Sequence, residues 1–318
     1  MDLINNTVYP ALMFRTVTED ETKYASSVCV RVTYKIVNNQ LEIAPEQNRQ
    51  LFTQKTETEI GILESDFVFK RGGVDILVFG NAVSPKQIPV KAMEVEINVK
   101  NKLNHKLQVF GNRKWVKSIF GMDISSPETF TTIPLTLENA FGGKQKWDGL
   151  EIPHGNNPYG KGYFFDKEAA IGGDLPNIEN PVNLIKKWND NVDPVGFCCL
   201  PQCAMNMMGN VDYDNTGKIT RFDAKFFNTA FPSMIVNKIE EGDEFNIIGM
   251  SLKPLTFIIP KTKFLLKATN GAKIKEWEMY IEQVGVIVDK HEVFITYRYP
   301  FNYTFEPMQK RFCEILEQ

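Results

Sequence analysis

YASSVCVRVTYKIV, residues 24–37, sets β-branched and aromatic side chains in partial alternation with polar ones. Successive side chains of a strand point to opposite faces of a sheet, so this pattern predicts a strand. NNQ (38–40) follows as a turn and LEIAP (41–45) as a return strand. SDFVFK (65–70), RGG (71–73) and VDILVFGNAV (74–83) read as a second hairpin-like region. AMEVEINVKN (92–101) alternates cleanly, and HKLQVFG (105–111) follows through the short turn NKLN. After residue 243 the same signature returns in EFNIIGMSL (244–252), LTFIIP (255–260) and KFLLKAT (263–269). WEMYIEQVGVIV (277–288) and EVFITYRY (292–299) flank DKH and predict a hairpin. Strands this short and this frequent predict a mainly β fold of antiparallel sheets, as a sandwich or barrel.

Between these blocks the periodicity is lost. Residues 123–242 are dense in Pro, Gly and Asn and read as an irregular, loop-rich insertion between a β-rich 10–122 and a β-rich 243–300. The expectation is one domain over 1–318, with one sheet drawing strands from both ends of the chain. Within the insertion NPVNLIKKWND (180–190) predicts a short helix, with Pro181 near its start. In the tail, Met308, Phe312, Ile315 and Leu316 stand at helical intervals, predicting an amphipathic C-terminal helix over 303–317.

The chain has 318 residues and a formal net charge of −3, so no strong basic field favours nucleic acid. Its 43% hydrophobic and 24% charged residues are ordinary globular values. The 23 Phe point to aromatic cross-strand pairs or an apolar binding surface. No stretch approaches the ~18 apolar residues of a membrane span, and MDLINNTVYPALMF lacks the basic and apolar regions of a secretory signal. With five cysteines, an odd number, the simplest expectation is reduced thiols in the cytoplasm.

Candidate chemistry concentrates in residues 138–165, ENAFGGKQKWDGLEIPHGNNPYGKGYFF. A phosphate-binding loop would follow GxxxxGK with Ser or Thr, but Gly155, Gly160 and Lys161 are followed by Gly162. The glycines are better read as turns that need positive φ. DYDNTGKITRFD (212–223) places Asp212, Asp214, Thr216, Gly217 and Asp223 at calcium-loop spacing, yet DNTGK also suits a hairpin tip. Cys198, Cys199 and Cys203 are spaced awkwardly for zinc, and His105, His154 and His291 are scattered. No GxSxG elbow is present. The expectation is therefore no catalytic set, no metal and no cofactor.

DFVFKRGGVDILVFGNAVSP, LQVFGNRKW, IPLTLENAFGG, NPYGKGY, PVGFCCLPQ, FFNTAFP and EEGDEFNIIGMSLKPLTFIIP occur in this order. Together they resemble the domain-of-unknown-function 2169 family over roughly residues 10–300, most specifically at Glu138 with AFGG and at NPYGKG. The resemblance implies a cytoplasmic adaptor or effector chaperone and not an enzyme. Such a protein would bind a type VI secretion effector and help load it onto the VgrG spike, often with a PAAR-repeat protein. Neither nucleic acid nor membrane is implied. Two departures stand out. The family's turn proline after Lys70 is Arg71, and PVGF continues CCLPQC without the usual Trp and Arg.

Glu138, Phe141, Gly142, Gly143, Trp147, Asn157, Pro158, Tyr159, Gly160, Gly162 and Tyr163 are the candidate site residues, as partner contacts or as braces of their own loops. Loops held on a rigid sheet are where binding concentrates. Two other classes stay open: an enzyme, hydrolase-like, with its site in the loops 138–210, and a structural component of the secretion apparatus.

Overall fold

The computed structural model describes residues 1–18, 23–119, 121–201, 211–304 and 307–318. The fold is mainly β. Its centre is a sheet of 12 strands built around YASSVCVRVTYKIV, which forms the strand Lys23–Val37. Along one side of it lie Glu292–Thr304, Tyr280–Ile287, Val74–Phe79 and Ile235–Val236. Along the other lie Gln40–Ile43, Leu255–Ile258, Glu244–Ile248, Ala92–Val99, Leu103–Phe110 and Ile178–Glu179. Ala11–Val17 pairs with the first half of Lys23–Val37. The sheet thus joins strands from both ends of the chain. The irregular insertion supplies only the two short strands at its margins.

Residues 26–34 of the central strand are buried without a break. Val28, Val30, Val32 and Tyr34 enter the main hydrophobic core. The intervening Ser27, Arg31 and Thr33 are polar and equally buried, because the segment around residues 50–71 covers their face. The alternation is real, but its polar face does not meet water.

A second sheet of four strands runs Asp2–Asn5, Arg311–Glu317, Phe264–Asn270, Lys273–Glu278. Here the structure corrects the C-terminal helix expected over 303–317. Residues 311–317 are a strand, parallel to Asp2–Asn5 and antiparallel to Phe264–Asn270. Its backbone is paired on both sides, and Cys313 and Ile315 are buried at a period of two. An isolated helix this short is marginal in water, so pairing on two flanks outweighs the helical spacing. Met308 is fully exposed, outside any apolar stripe.

Two further expectations change. Residues 180–190 form turns, not a helix; the Asp190 carboxylate accepts from the Lys186 and Lys187 amides. The one α-helical turn of the described residues is Lys167–Ala170, N-capped by Asp166. SDFVFK forms no strand either. Asp66 and Val68 instead tie that segment to the buried polar face of the sheet.

Candidate functional site

The glycine-rich stretch folds onto itself. Phe141–Gly142 pairs in parallel with Lys161–Gly162, joining AFGG to NPYGKG. Asn157 is fully buried and organises the crossing. Its Nδ2 donates to the carbonyls of Leu137 and Phe141 (2.8 and 3.0 Å), its Oδ1 accepts from the Tyr159 amide, and its carbonyl accepts from Gly143 (2.8 Å). The Asn157 amide in turn donates to His154 Nδ1 at 3.2 Å. Gly142 has φ +145°, and a Cβ there would lie 2.1 Å from the Asn157 carbonyl oxygen, so this crossing admits only glycine.

From the crossing a chain of edge-to-face rings runs outward. Phe141 meets His154 (5.3 Å), His154 meets Tyr163 (5.0 Å), Tyr163 meets Phe165 (5.2 Å) and Phe165 meets Trp147 (5.9 Å). Phe141 is buried, in a satellite core with Trp115, Ala170, Leu175 and Ile185. Trp147 ends the hairpin strand Lys144–Trp147 opposite Leu150 of Leu150–Pro153. These two are 59% and 68% exposed, an apolar pair at a hairpin tip.

Each candidate residue can now be placed. Phe141, Gly142, Gly143 and Asn157 are buried braces, and Tyr163 and Pro158 are half-buried. Gly160 and Gly162 line the crossing with no room for a Cβ. Glu138 is exposed in the turn Leu137–Asn139. Tyr159 is exposed at 39%, and Lys55 Nζ donates to its hydroxyl at 3.1 Å. Lys161 Nζ donates to Asn139 Oδ1, and burial together with nearby Arg113 outweighs Asp174 to depress its ammonium pKa.

A different assembly was not visible in the motifs. On the covered face of the large sheet, register places Arg31, Thr296, Gln283 and Asp75 in one row across neighbouring strands. Asp66 Oδ1 accepts from Arg31 (2.7 Å) and Arg71 (3.4 Å). Asp75 accepts from Arg71, Asn228 Nδ2 and the Thr229 amide and hydroxyl. A β-bulge between Ile281 and Gln283 turns Glu282 inward, where it accepts from Arg298 Nε (2.6 Å) and the Arg71 amide (3.0 Å). Arg298 also donates to Ser27 and to the carbonyls of Val68 and Asp66. Three arginines thus meet three carboxylates, all buried. Burial works against the Arg71 charge, but Glu282, Asp75 and Asp66 more than offset it and hold the guanidinium protonated. Arg71, the departure from the expected turn proline, was the only sequence signal of this network.

The remaining motifs resolve simply. Val211–Tyr213 and Ile219–Phe222 form a hairpin, with Asp214 accepting from Thr216 and Lys218 in its turn and Asp212 paired to Arg221. Cys198 is pushed up to about 12 by burial, and burial raises Cys199 as well, so both are thiols at neutral pH. Cys203 lies outside the described residues. Among the described residues no group of His, Cys, Asp and Glu is arranged for a metal, and no helix is long and apolar enough to cross a membrane.

The family described as "Uncharacterized protein conserved in bacteria (DUF2169)" matches residues 21–298. No curated protein and no solved structure matches the chain.

Proposed function

The chain belongs to the DUF2169 family, and from that membership we propose a cytoplasmic adaptor that holds a type VI secretion effector and helps load it onto the VgrG spike or its PAAR-repeat tip. One structural observation supports the reading: the Trp147–Leu150 pair. Large apolar side chains are exposed at a hairpin tip, and Trp147 rests on Phe165, from which edge-to-face contacts lead through Tyr163 and His154 to Phe141 of the satellite core. A rigidly supported, exposed Trp offers contact area at little entropic cost and is the residue type most enriched among binding hot spots.

The test is affinity capture of the tagged protein from its native bacterium, with mass spectrometry of what accompanies it. The wild type is expected to bring one large effector together with VgrG or a PAAR protein. The folded Trp147→Ala/Leu150→Ala variant is expected to lose them. Recovery of the wild type alone, with the secretion system expressed, sinks the reading. Release of the protein with the spike would favour a structural component instead.

A further inference from the structure

A cleft of 720 Å3 lies where residues 71–74, 237–241, 260–263 and 278–281 meet, and it shares no residue with the glycine-rich crossing. Its size falls within the ~300–1,000 Å3 of ligand sites. Its walls include Val74, Met279, Ile281 and Tyr297, with the 40% exposed Tyr280 among them. Lys238, Lys261 and Lys263 alternate around it with Glu240, Glu241 and Glu278. Lys238 pairs with Glu240, and Lys263 with Glu278. A polyanion or polycation would meet as much repulsion as attraction there.

The backbone supplies what the charges do not. The ladder between Tyr280–Ile287 and Val74–Phe79 begins only at Gln283 opposite Asp75, so Tyr280 and Ile281 have no strand partner on that side. Across the same cleft, the amides of Lys261 and Thr262 and the carbonyls of Pro260, Lys261 and Thr262 have no partner among the described residues. Peptide groups such as these are hydrogen-bonding sites open to another chain. The bulge that turns Glu282 inward keeps its carboxylate out of the cleft and in the arginine network.

We propose that this cleft takes an extended segment of a partner polypeptide, added as a short strand, with apolar side chains at alternate positions and both charge signs between them. Main-chain hydrogen bonds give such a segment its affinity, and the apolar walls select alternate side chains. This site is separate from the hairpin tip, so its failure leaves the adaptor reading standing.

The probe is a phage-displayed library of random linear nonapeptides, selected against the full chain. Enriched peptides are synthesised and their affinity measured by fluorescence anisotropy. Selected sequences are expected to alternate apolar and charged residues. N-methylation at alternate positions in one register is expected to weaken binding by about tenfold or more, because each methyl group removes a main-chain donor, and in the other register to leave it intact. Tyr280→Ala is expected to weaken the unmethylated peptide in the same way. No enrichment, indifference to methylation in both registers, or unchanged binding to a folded Tyr280→Ala variant overturns the proposal. So does self-association of the protein that these peptides fail to displace. The methylated peptides need no altered protein, so the test stands even where a variant misfolds.

Discussion

The glycine-rich crossing and the buried arginine network are both polar arrangements inside a β protein, and they are built in opposite ways. The crossing is local: its bonds link residues within 137–163 and mostly satisfy backbone groups. The network is assembled from residues 27, 31, 66, 71, 75, 282 and 298, which meet only when the large sheet is complete. A local device can open without the rest of the molecule. A device made from the register of several strands can break only with the sheet. The two should therefore fail differently, and each can be broken separately.

The largest effect is expected at Arg298. It is fully buried, and its removal strands Glu282 without its closest cation. Arg298→Met is expected to cost ~3–5 kcal/mol of global stability, as when one partner of a buried ion pair is lost. The loss should appear in denaturant unfolding as a lower midpoint seen equally by all probes. Arg298→Met/Glu282→Leu removes both charges and should recover part of that loss, since an apolar pair can replace a buried ion pair at little cost. If the double variant is no better than the single, Glu282 matters mainly through the Arg71 amide it accepts.

Asn157 comes next. Asn157→Ala leaves the Leu137 and Phe141 carbonyls without its amide group, at ~1–3 kcal/mol for buried polar groups left unpaired. Here the expectation is a local response. Amide exchange and proteolytic cutting should rise within residues 138–165 while the global midpoint moves little. A global loss equal to that of Arg298→Met would show that the crossing and the sheet unfold as one unit.

The same contrast explains what could be read beforehand. Strands such as Lys23–Val37 and Ala92–Val99 were legible because alternation is local. The crossing was legible as a cluster of Gly and Asn, although not as a bond pattern. The network was illegible because Ser27, Cys29, Arg31 and Thr33 look like a solvent face, and only the covering segment at residues 50–71 decides otherwise. The tail shows the opposite error. Phe312, Ile315 and Leu316 fit a helix, while Cys313 and Ile315 fit a strand, and the open edge of Phe264–Asn270 selected the strand. The cleft was beyond local reading for the same reason as the network: its four walls meet only through the sheet.

The smallest effect sharpens the comparison through pH. His154 lies between Phe141 and Tyr163, and its Nδ1 accepts from the Asn157 amide, so the folded crossing needs the neutral ring. Burial lowers its pKa from 6.5, and Asn191 and Asp193 only partly counter this. A base whose folded pKa lies below its unfolded value stabilises the fold fully above the unfolded value. That stability is lost as pH falls from 6.5 toward the folded pKa, because only the unfolded chain gains the proton. The crossing should therefore loosen as pH falls below about 6.5. His105 is lowered by burial as well, so the whole molecule should weaken over the same range. Amide exchange in residues 138–165 separates the two. Intrinsic amide exchange is base-catalysed and slows on acidification, so the readout is the protection factor: in the wild type it should fall there with pH, and in His154→Gln that fall should vanish while the His105 contribution to global stability remains. An equal fall of protection in both proteins would mean that groups other than His154, His105 among them, set the pH response of the crossing.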